Sequence, residues 1–196
     1  MNKRVKIFNK NTIIAIAVII FIAMIVPFSL STKKNKWLNY KTKITKKQSM
    51  VYANAYMKAS VESVWAVLND FNNHHKYMPS IVKVTLLEKN KYYMKTKQKL
   101  KVGIFTVEFI FINEYNDAEY FMSWKQIKGP LKINKGYWKL IPQKDGNCVT
   151  YYHGIVAHPL IPDSIIKSLL KDTLPGLFKA VQKRAQYLDE LKKKKK

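Results

Sequence analysis

Between Tyr92 and Val102 the chain alternates. Tyr92, Met94, Thr96, Gln98, Leu100 and Val102 fall on one parity, and Lys95, Lys97, Lys99 and Lys101 on the other. A period of two that separates apolar from charged side chains is the pattern of a half-buried strand. Lysines solvate one face, and the other face needs a core. Past Gly103 the alternation resumes, with Phe105, Val107, Phe109 and Phe111 on one face, and parity turns Glu108 outward with Thr106 and Ile110. Glu119 to Gln126, Leu131 to Ile141 and Cys148 to Val156 read as three further strands. Turn chemistry at Asn116-Asp117, Gly129-Pro130 and Asp145-Gly146 separates them. Val51 to Met57 and Ile81 to Glu88 bring the total to about seven.

Two helical patterns interrupt the strands. Ser60 is a favourable N-cap for Val61 to Phe71, with Glu62 in the first turn and Val61, Val64, Trp65 and Leu68 as the apolar stripe. Asp163 to Leu191 is amphipathic through Ile166, Leu170, Leu174, Leu177, Val181 and Leu188, and Pro175-Gly176 is expected to kink or divide it. A run of consecutive antiparallel strands cannot cover its own apolar face. The expected class is therefore α+β, a curved antiparallel sheet of about six to seven strands wrapped around a long C-terminal helix.

The basic residues are concentrated at the ends. Of a net charge of +24, two-thirds sits in residues 1–49, which hold 11 cations and no acid, and in the five lysines Lys192 to Lys196. Only Arg4 and Arg184 are arginines, which weighs against bidentate phosphate or base recognition and makes nucleic acid a disfavoured partner. An attraction to anionic lipid stands beside plain solubility as the reading of the excess. Ile13 to Val26 runs without a polar side chain behind Lys3, Arg4, Lys6 and Lys10. Thr12 to Ser31 as one helix would span ~30 Å at ~1.5 Å per residue. This segment reads as an uncleaved anchor, with a signal peptide cleaved near Ser29-Leu30-Ser31 as the second possibility. Asn35 to Gln48 is polar, Lys-rich and without apolar periodicity, the look of a linker. A single cysteine, Cys148, excludes an internal disulfide framework and a Cys-based zinc site.

Several local motifs resemble a known family: the stretch from Ala59 to Phe71, Tyr77-Met78-Pro79, Gly129, Gly136 to Leu140, Gly146 to Tyr151, and Leu174 to Leu177. Their order and spacing resemble the START-like, or polyketide cyclase/dehydrase and lipid transport, superfamily (SRPBCC) with its helix-grip fold. The resemblance extends to coenzyme-Q-binding START-type proteins and covers about residues 50–190. The expected organisation is a basic region with a transmembrane anchor or signal over 1–31, a Lys-rich linker over 32–48, a START-like ligand-binding domain over 49–191 and a polybasic tail over 192–196.

The resemblance implies an apolar cavity between sheet and long helix. The inward-facing set is Met94, Thr96, Gln98, Phe109, Phe111, Trp124, Trp138, Tyr151 and His153, with Trp65 from the first helix and Leu170, Leu174 and Phe178 from the last. A packed core is the alternative for these aromatics. Thr96 and Gln98 stand out because two polar side chains on an apolar strand face need partners, either a ligand or bound water, or their own neighbours. His74, His75, His153 and His158 show no metal spacing, no nucleophile triad is legible, and no phosphate-cradling glycine loop is present. No metal, cofactor or catalytic residue is therefore expected.

The function expected is a membrane-anchored domain that binds a lipid, fatty acid or isoprenoid quinone for transport or presentation. Its domain is expected on the extracytoplasmic (periplasmic) side; secretion after cleavage, or the cytoplasmic face, are the alternatives. Rival functions are a cyclase, aromatase or dehydratase acting on an apolar substrate, for which Tyr151, His153 and Gln98 are the available polar groups, and an RNA- or ribosome-interacting protein.

Overall fold

The residues described by this computed structural model are 37–44, 48–102, 105–158, 161, 166, 170 and 173–195. The apolar run Ile13 to Val26, with the anchor or signal expectation it carries, lies outside them. Among the described residues no helix is long and apolar enough to cross a membrane.

Eight strands form one antiparallel sheet: β1 (Leu38–Ile44), β2 (Ser49–Met57), β3 (Ile81–Lys89), β4 (Tyr93–Val102), β5 (Phe105–Asn116), β6 (Phe121–Lys128), β7 (Ile133–Gln143) and β8 (Gly146–Val156). The helices are α1 (Val61–Asn69), a single-turn α2 (His74–Tyr77) and α3 (Leu174–Lys194). Strands β3 to β8 follow one another as a meander, and β2 crosses back to pair with β8, giving the order β1-β2-β8-β7-β6-β5-β4-β3. The helix-grip arrangement expected from the strand pattern is the one observed, with one more strand.

The extra strand corrects the reading of residues 32–48 as a linker and of the domain as starting at 49. Leu38–Ile44 pairs along its whole length with β2, from Leu38 opposite Ala55 to Ile44 opposite Ser49. Its sequence, LNYKTKI, gives the core Leu38, which is 5% exposed, and the partly buried Tyr40, so an edge strand of this kind carries little apolar signal. The polybasic tail also begins inside structure, because α3 runs to Lys194. The division expected at Pro175-Gly176 is realised as a helix start, with the proline in the first turn, where its missing N–H costs no hydrogen bond.

The parity of β4 holds. Met94, Thr96 and Gln98 are buried, while Lys97 and Lys99 pair with Glu108 on the outer face at 3.1 and 3.3 Å. On the inner face, α3 lays down Leu174, Phe178, Val181 and Ala185, all at most 2% exposed and spaced four, three and four residues apart. Burying a side chain such as Phe178 contributes on the order of 1.5–3 kcal/mol.

A polar clasp fixes the far end of α3. Ser60 caps α1, accepting from the Ser63 N–H at 3.3 Å, and its own N–H donates to Asp189 Oδ2 at 2.8 Å. The Ser60 and Ser63 hydroxyls both donate to Asp189 Oδ1, and Lys192 Nζ donates to Ser63 Oγ at 2.9 Å. Burial pushes the Asp189 carboxyl up, but the bonds from Ser60 and Ser63 outweigh it and hold the group below the usual range. Asp189→Ala leaves these donors without their acceptor and is expected to lower stability by about 1–3 kcal/mol, read as a fall in the urea midpoint at unchanged slope.

Candidate functional site

The concave face of the sheet is wider than one helix can fill. What remains between sheet, α3 and the α1–α2 corner is a cavity of about 220 Å³. Its lining is mainly apolar, and its aromatic part includes Phe109 and Phe111 of β5 stacked at 5.5 Å, Trp124 of β6, Trp138 of β7 and Tyr151 of β8. Exposed Pro79, Ser80 and Lys101 mark its mouth, where Ser80 adopts a left-handed φ of 67° and its carbonyl accepts from the Lys101 N–H at 2.7 Å.

Of the residues singled out in the sequence, Gln98, Phe109, Phe111, Trp124, Trp138, Tyr151 and His153 line this cavity together. The others do not. Phe178 sits behind the wall, packed against Trp138 at 5.3 Å and edge-on to Tyr151 at 5.8 Å. Leu170, Leu174 and Met94 are core side chains, and Thr96 lies fully buried as a bonding partner of the wall. Trp65 is a strut, donating from Nε1 to Asp117 Oδ1 at 2.9 Å and meeting Tyr120 edge to face.

Strand alternation alone could have added Asn113, which continues the parity of Phe109 and Phe111, and Asn134, which shares the parity of Trp138. Leu68, Phe71, His74 and Met78 close the cavity from the α1–α2 corner, a placement that depends on tertiary packing. At that corner His74 and His75 open α2, with His74 buried and His75 exposed. His74 Nε2 and the Tyr77 hydroxyl both donate to Val67 O, at 3.1 and 2.9 Å, tying α2 to α1.

Polar groups in the cavity wall form two clusters. In the first, Gln98 Nε2 donates to Thr96 Oγ1 at 3.1 Å, and Asn113 Nδ2 donates to the same oxygen at 3.0 Å and to Met94 O at 3.2 Å. The second is a chain on β7 and β8. Asn134 Oδ1 can only accept, so His153 Nε2, 2.8 Å away, carries the ring proton. His153 Nδ1 then accepts from the Tyr151 hydroxyl at 3.0 Å. Burial drives the His153 pKa down to about 4 and raises that of Tyr151 above the ordinary phenol value. Burial likewise takes His74 to about 4, against the smaller opposing effects of its bond to Val67 and of the Asp70 carboxylate. Both cavity imidazoles are neutral at pH 7. Lys101, at the mouth, is the cationic side chain among the lining residues. Among the described residues no group of His, Cys, Asp and Glu is placed to hold a metal ion.

Gly136 sets the shape of one wall. It lies between Trp124 and His153 in the strand register, and a Cβ there would come within 2.2 Å of the Trp124 ring and 2.1 Å of Tyr152 O. The bare backbone lets the Trp124 indole lie across β7 and reach Tyr151 and His153, each with a centroid distance of 5.6 Å. Gly136→Ala is expected to displace Trp124 and cost about 1–3 kcal/mol, seen as a lower urea midpoint together with a changed near-ultraviolet circular dichroism signal.

The two histidines also fix a pH dependence. Unfolded, each takes up a proton near the ordinary imidazole value of 6.5; folded, only near 4. Between these values the unfolded chain binds more protons, so stability falls as pH is lowered from 6.5 towards 4. The melting temperature is expected to drop over this window, and His153→Gln to flatten part of the drop.

No curated protein sequence matches the chain. Among solved structures it is similar to the Zhui aromatase/cyclase from Streptomyces sp. R1128, at 16% identity and TM-score 0.66 over 71% of this chain and 94% of that one. It is also similar to a START superfamily protein from Mycobacterium smegmatis, at 19% identity and TM-score 0.63 over 71% and 98% of the two chains. A STAR-related lipid transfer protein from Xanthomonas axonopodis aligns at 17% identity and TM-score 0.63 over 79% and 96%. These likenesses establish the fold. The family profile for polyketide cyclase/dehydrase and lipid transport matches residues 57–175, more than half of the sequence, and the chain belongs to that family.

Proposed function

We propose that the domain takes up an apolar molecule of the lipid, fatty acid or isoprenoid quinone kind for transport or presentation at a membrane. The observation that carries this reading is a cavity of about 220 Å³ walled by aromatic and aliphatic side chains, whose two histidines are neutral at pH 7 and whose lining cation, Lys101, stands at the mouth. Such a space binds by removing apolar surface from water, at about 25 cal/mol per Å². At this volume it encloses a ring or the end of a chain, being smaller than the ~300–1,000 Å³ of drug-sized ligand sites. Leu177 of α3 and the Pro79-Ser80 turn both line it, so ligand exchange would proceed by a shift of α3 away from the mouth.

The membrane component of the proposal rests on the sequence. Ile13 to Val26 would anchor the chain, and the lysines of both flanks would hold the domain near anionic headgroups on the extracytoplasmic side.

A reading as a cyclase, aromatase or dehydratase draws support from the hydrogen-bonded chain Tyr151–His153–Asn134 inside the cavity, whose first two members titrate. General acid–base catalysis favours groups whose pKa lies near the working pH. Here His153 is pushed down to about 4 and Tyr151 upward, so both are tuned away from proton transfer at neutrality. Binding is therefore the better-supported role. Native mass spectrometry with lipid extraction, on the full chain purified from its own host, is expected to reveal one stoichiometric apolar molecule. A chain that is isolated empty and takes up no apolar probe would overturn the proposal.

A further inference from the structure

The outer face of the sheet carries an aromatic row that neither the core nor the cavity uses. Tyr52, Tyr152 and Tyr137 stand directly opposite one another on the neighbouring strands β2, β8 and β7, and Phe121 of β6 extends the row on the diagonal. Successive ring centroids are 4.7, 5.7 and 5.8 Å apart, so the four rings form one continuous strip. Parity turns them away from the cavity, which their chain neighbours Tyr151 and Trp138 line. A Cβ on Gly154 would meet the Tyr152 hydroxyl at 2.3 Å, so the bare backbone there lets that ring lie along β8. Tyr52, Ile127, Ile133 and Ile141 on this face are each 45–48% exposed.

Charge on the same face has one sign. The strands β1, β2, β6, β7 and β8 contain no Asp or Glu. Lys41 of β1 lies opposite Tyr52, and Lys125 of β6 lies directly opposite Lys135 of β7. Like charges so placed repel, and among the described residues neither lysine of that pair meets a carboxylate. Lys139 is the exception, held at 3.2 Å by Glu119 from the turn before β6. Aromatic bodies with polar tips, exposed aliphatic side chains and long lysines are the groups that settle into a lipid headgroup layer. A single-stranded nucleic acid would use the rings and the lysines but gain nothing from the isoleucines.

Resting on the membrane component of the function proposed above, we infer that the outer face of β2, β8, β7 and β6 is a docking surface for an anionic phospholipid bilayer. The aromatic strip sits at headgroup depth, and Lys125 and Lys135 meet the phosphates.

A nitrobenzoxadiazole fluorophore on Tyr52→Cys, in a Cys148→Ser background, tests this with the full chain reconstituted into vesicles. Ser80→Cys at the cavity mouth is the comparison site. In phosphatidylcholine vesicles containing phosphatidylglycerol, emission from the Tyr52→Cys label is expected to rise roughly twofold or more and shift to the blue. In phosphatidylcholine alone it should stay water-like, and the Ser80→Cys label should stay water-like in both. Lys125→Glu combined with Lys135→Glu should abolish the rise. The inference is overturned if the Tyr52→Cys label ignores phosphatidylglycerol, if the Ser80→Cys label responds as strongly, or if the charge-reversed chain responds in full. A response to polyuridylate, or to protein concentration alone, without phosphatidylglycerol would also overturn it, in favour of RNA or a second copy of the chain. These outcomes leave the membrane component standing as long as the chain sediments with the vesicles. A chain that sediments with neither kind of vesicle removes that component and this inference together. Should Tyr52→Cys fail to fold, Ile133→Cys on the same face carries the same readout.

Discussion

Burial of the Leu174–Phe178–Val181–Ala185 stripe against the curved sheet is the contact on which the remaining structure depends. Eight strands present more apolar concave surface than one helix can cover, and a strand face left open to water would forgo its hydrophobic stabilisation. The helix therefore covers part of the concavity, with Phe178 against Trp138 of β7 and Tyr151 of β8. The space left is lined by residues of β4 to β8, by Leu68, Phe71 and Met78 at the α1–α2 corner and by Leu177 of α3, and the cavity is what this incomplete covering leaves. The Ser60–Ser63–Asp189–Lys192 clasp locks the opposite end of α3 to α1. The clasp thus ties the helix far from the mouth, while Leu177 lines the cavity near its other end.

Polar groups inside such a space have to be satisfied without water or they oppose folding. Each cluster meets part of this demand locally: Thr96 Oγ1 accepts from Gln98 and Asn113, and Asn134 Oδ1 accepts from His153. The same burial that makes the bonds necessary removes charge from His153 and His74. With both cavity imidazoles neutral, the interior offers hydrogen-bonding groups rather than charge, and the lining cation, Lys101, stands exposed at the mouth.

The sheet was legible in the sequence because alternation is a local property: the residues from Tyr92 to Val102 carry their own inside and outside. The cavity aromatics on β5 to β8 followed from the same parity. What escaped depends on pairing or packing at a distance. Among the described side chains β1 buries Leu38 and packs Tyr40 partly against the core, and it is recognisable as a strand only through its ladder with β2. Trp65 shares the apolar stripe of α1, but its indole N–H turns towards Asp117, a partner 52 residues away. The α2 turn owes its position to the Val67 carbonyl, which receives bonds from both His74 and Tyr77. Asn113 and Asn134 had the correct parity, yet asparagine on an apolar face gives no sign of whether it meets a ligand or a neighbour.

Gly136 shows how a locally unfavourable residue becomes informative once its surroundings are known. In a strand interior glycine forfeits side-chain packing and adds unfolded-state entropy. The motif Gly136-Tyr137-Trp138 accepts that loss in the strand next to the cavity, and the space it opens is filled by the Trp124 indole from the neighbouring strand. Trp124 thereby covers the Tyr151–His153 pair, excludes water from it and contributes to the desolvation that keeps His153 uncharged. The missing side chain on β7 and the neutral imidazole on β8 are two ends of one arrangement, joined by a tryptophan that belongs to β6.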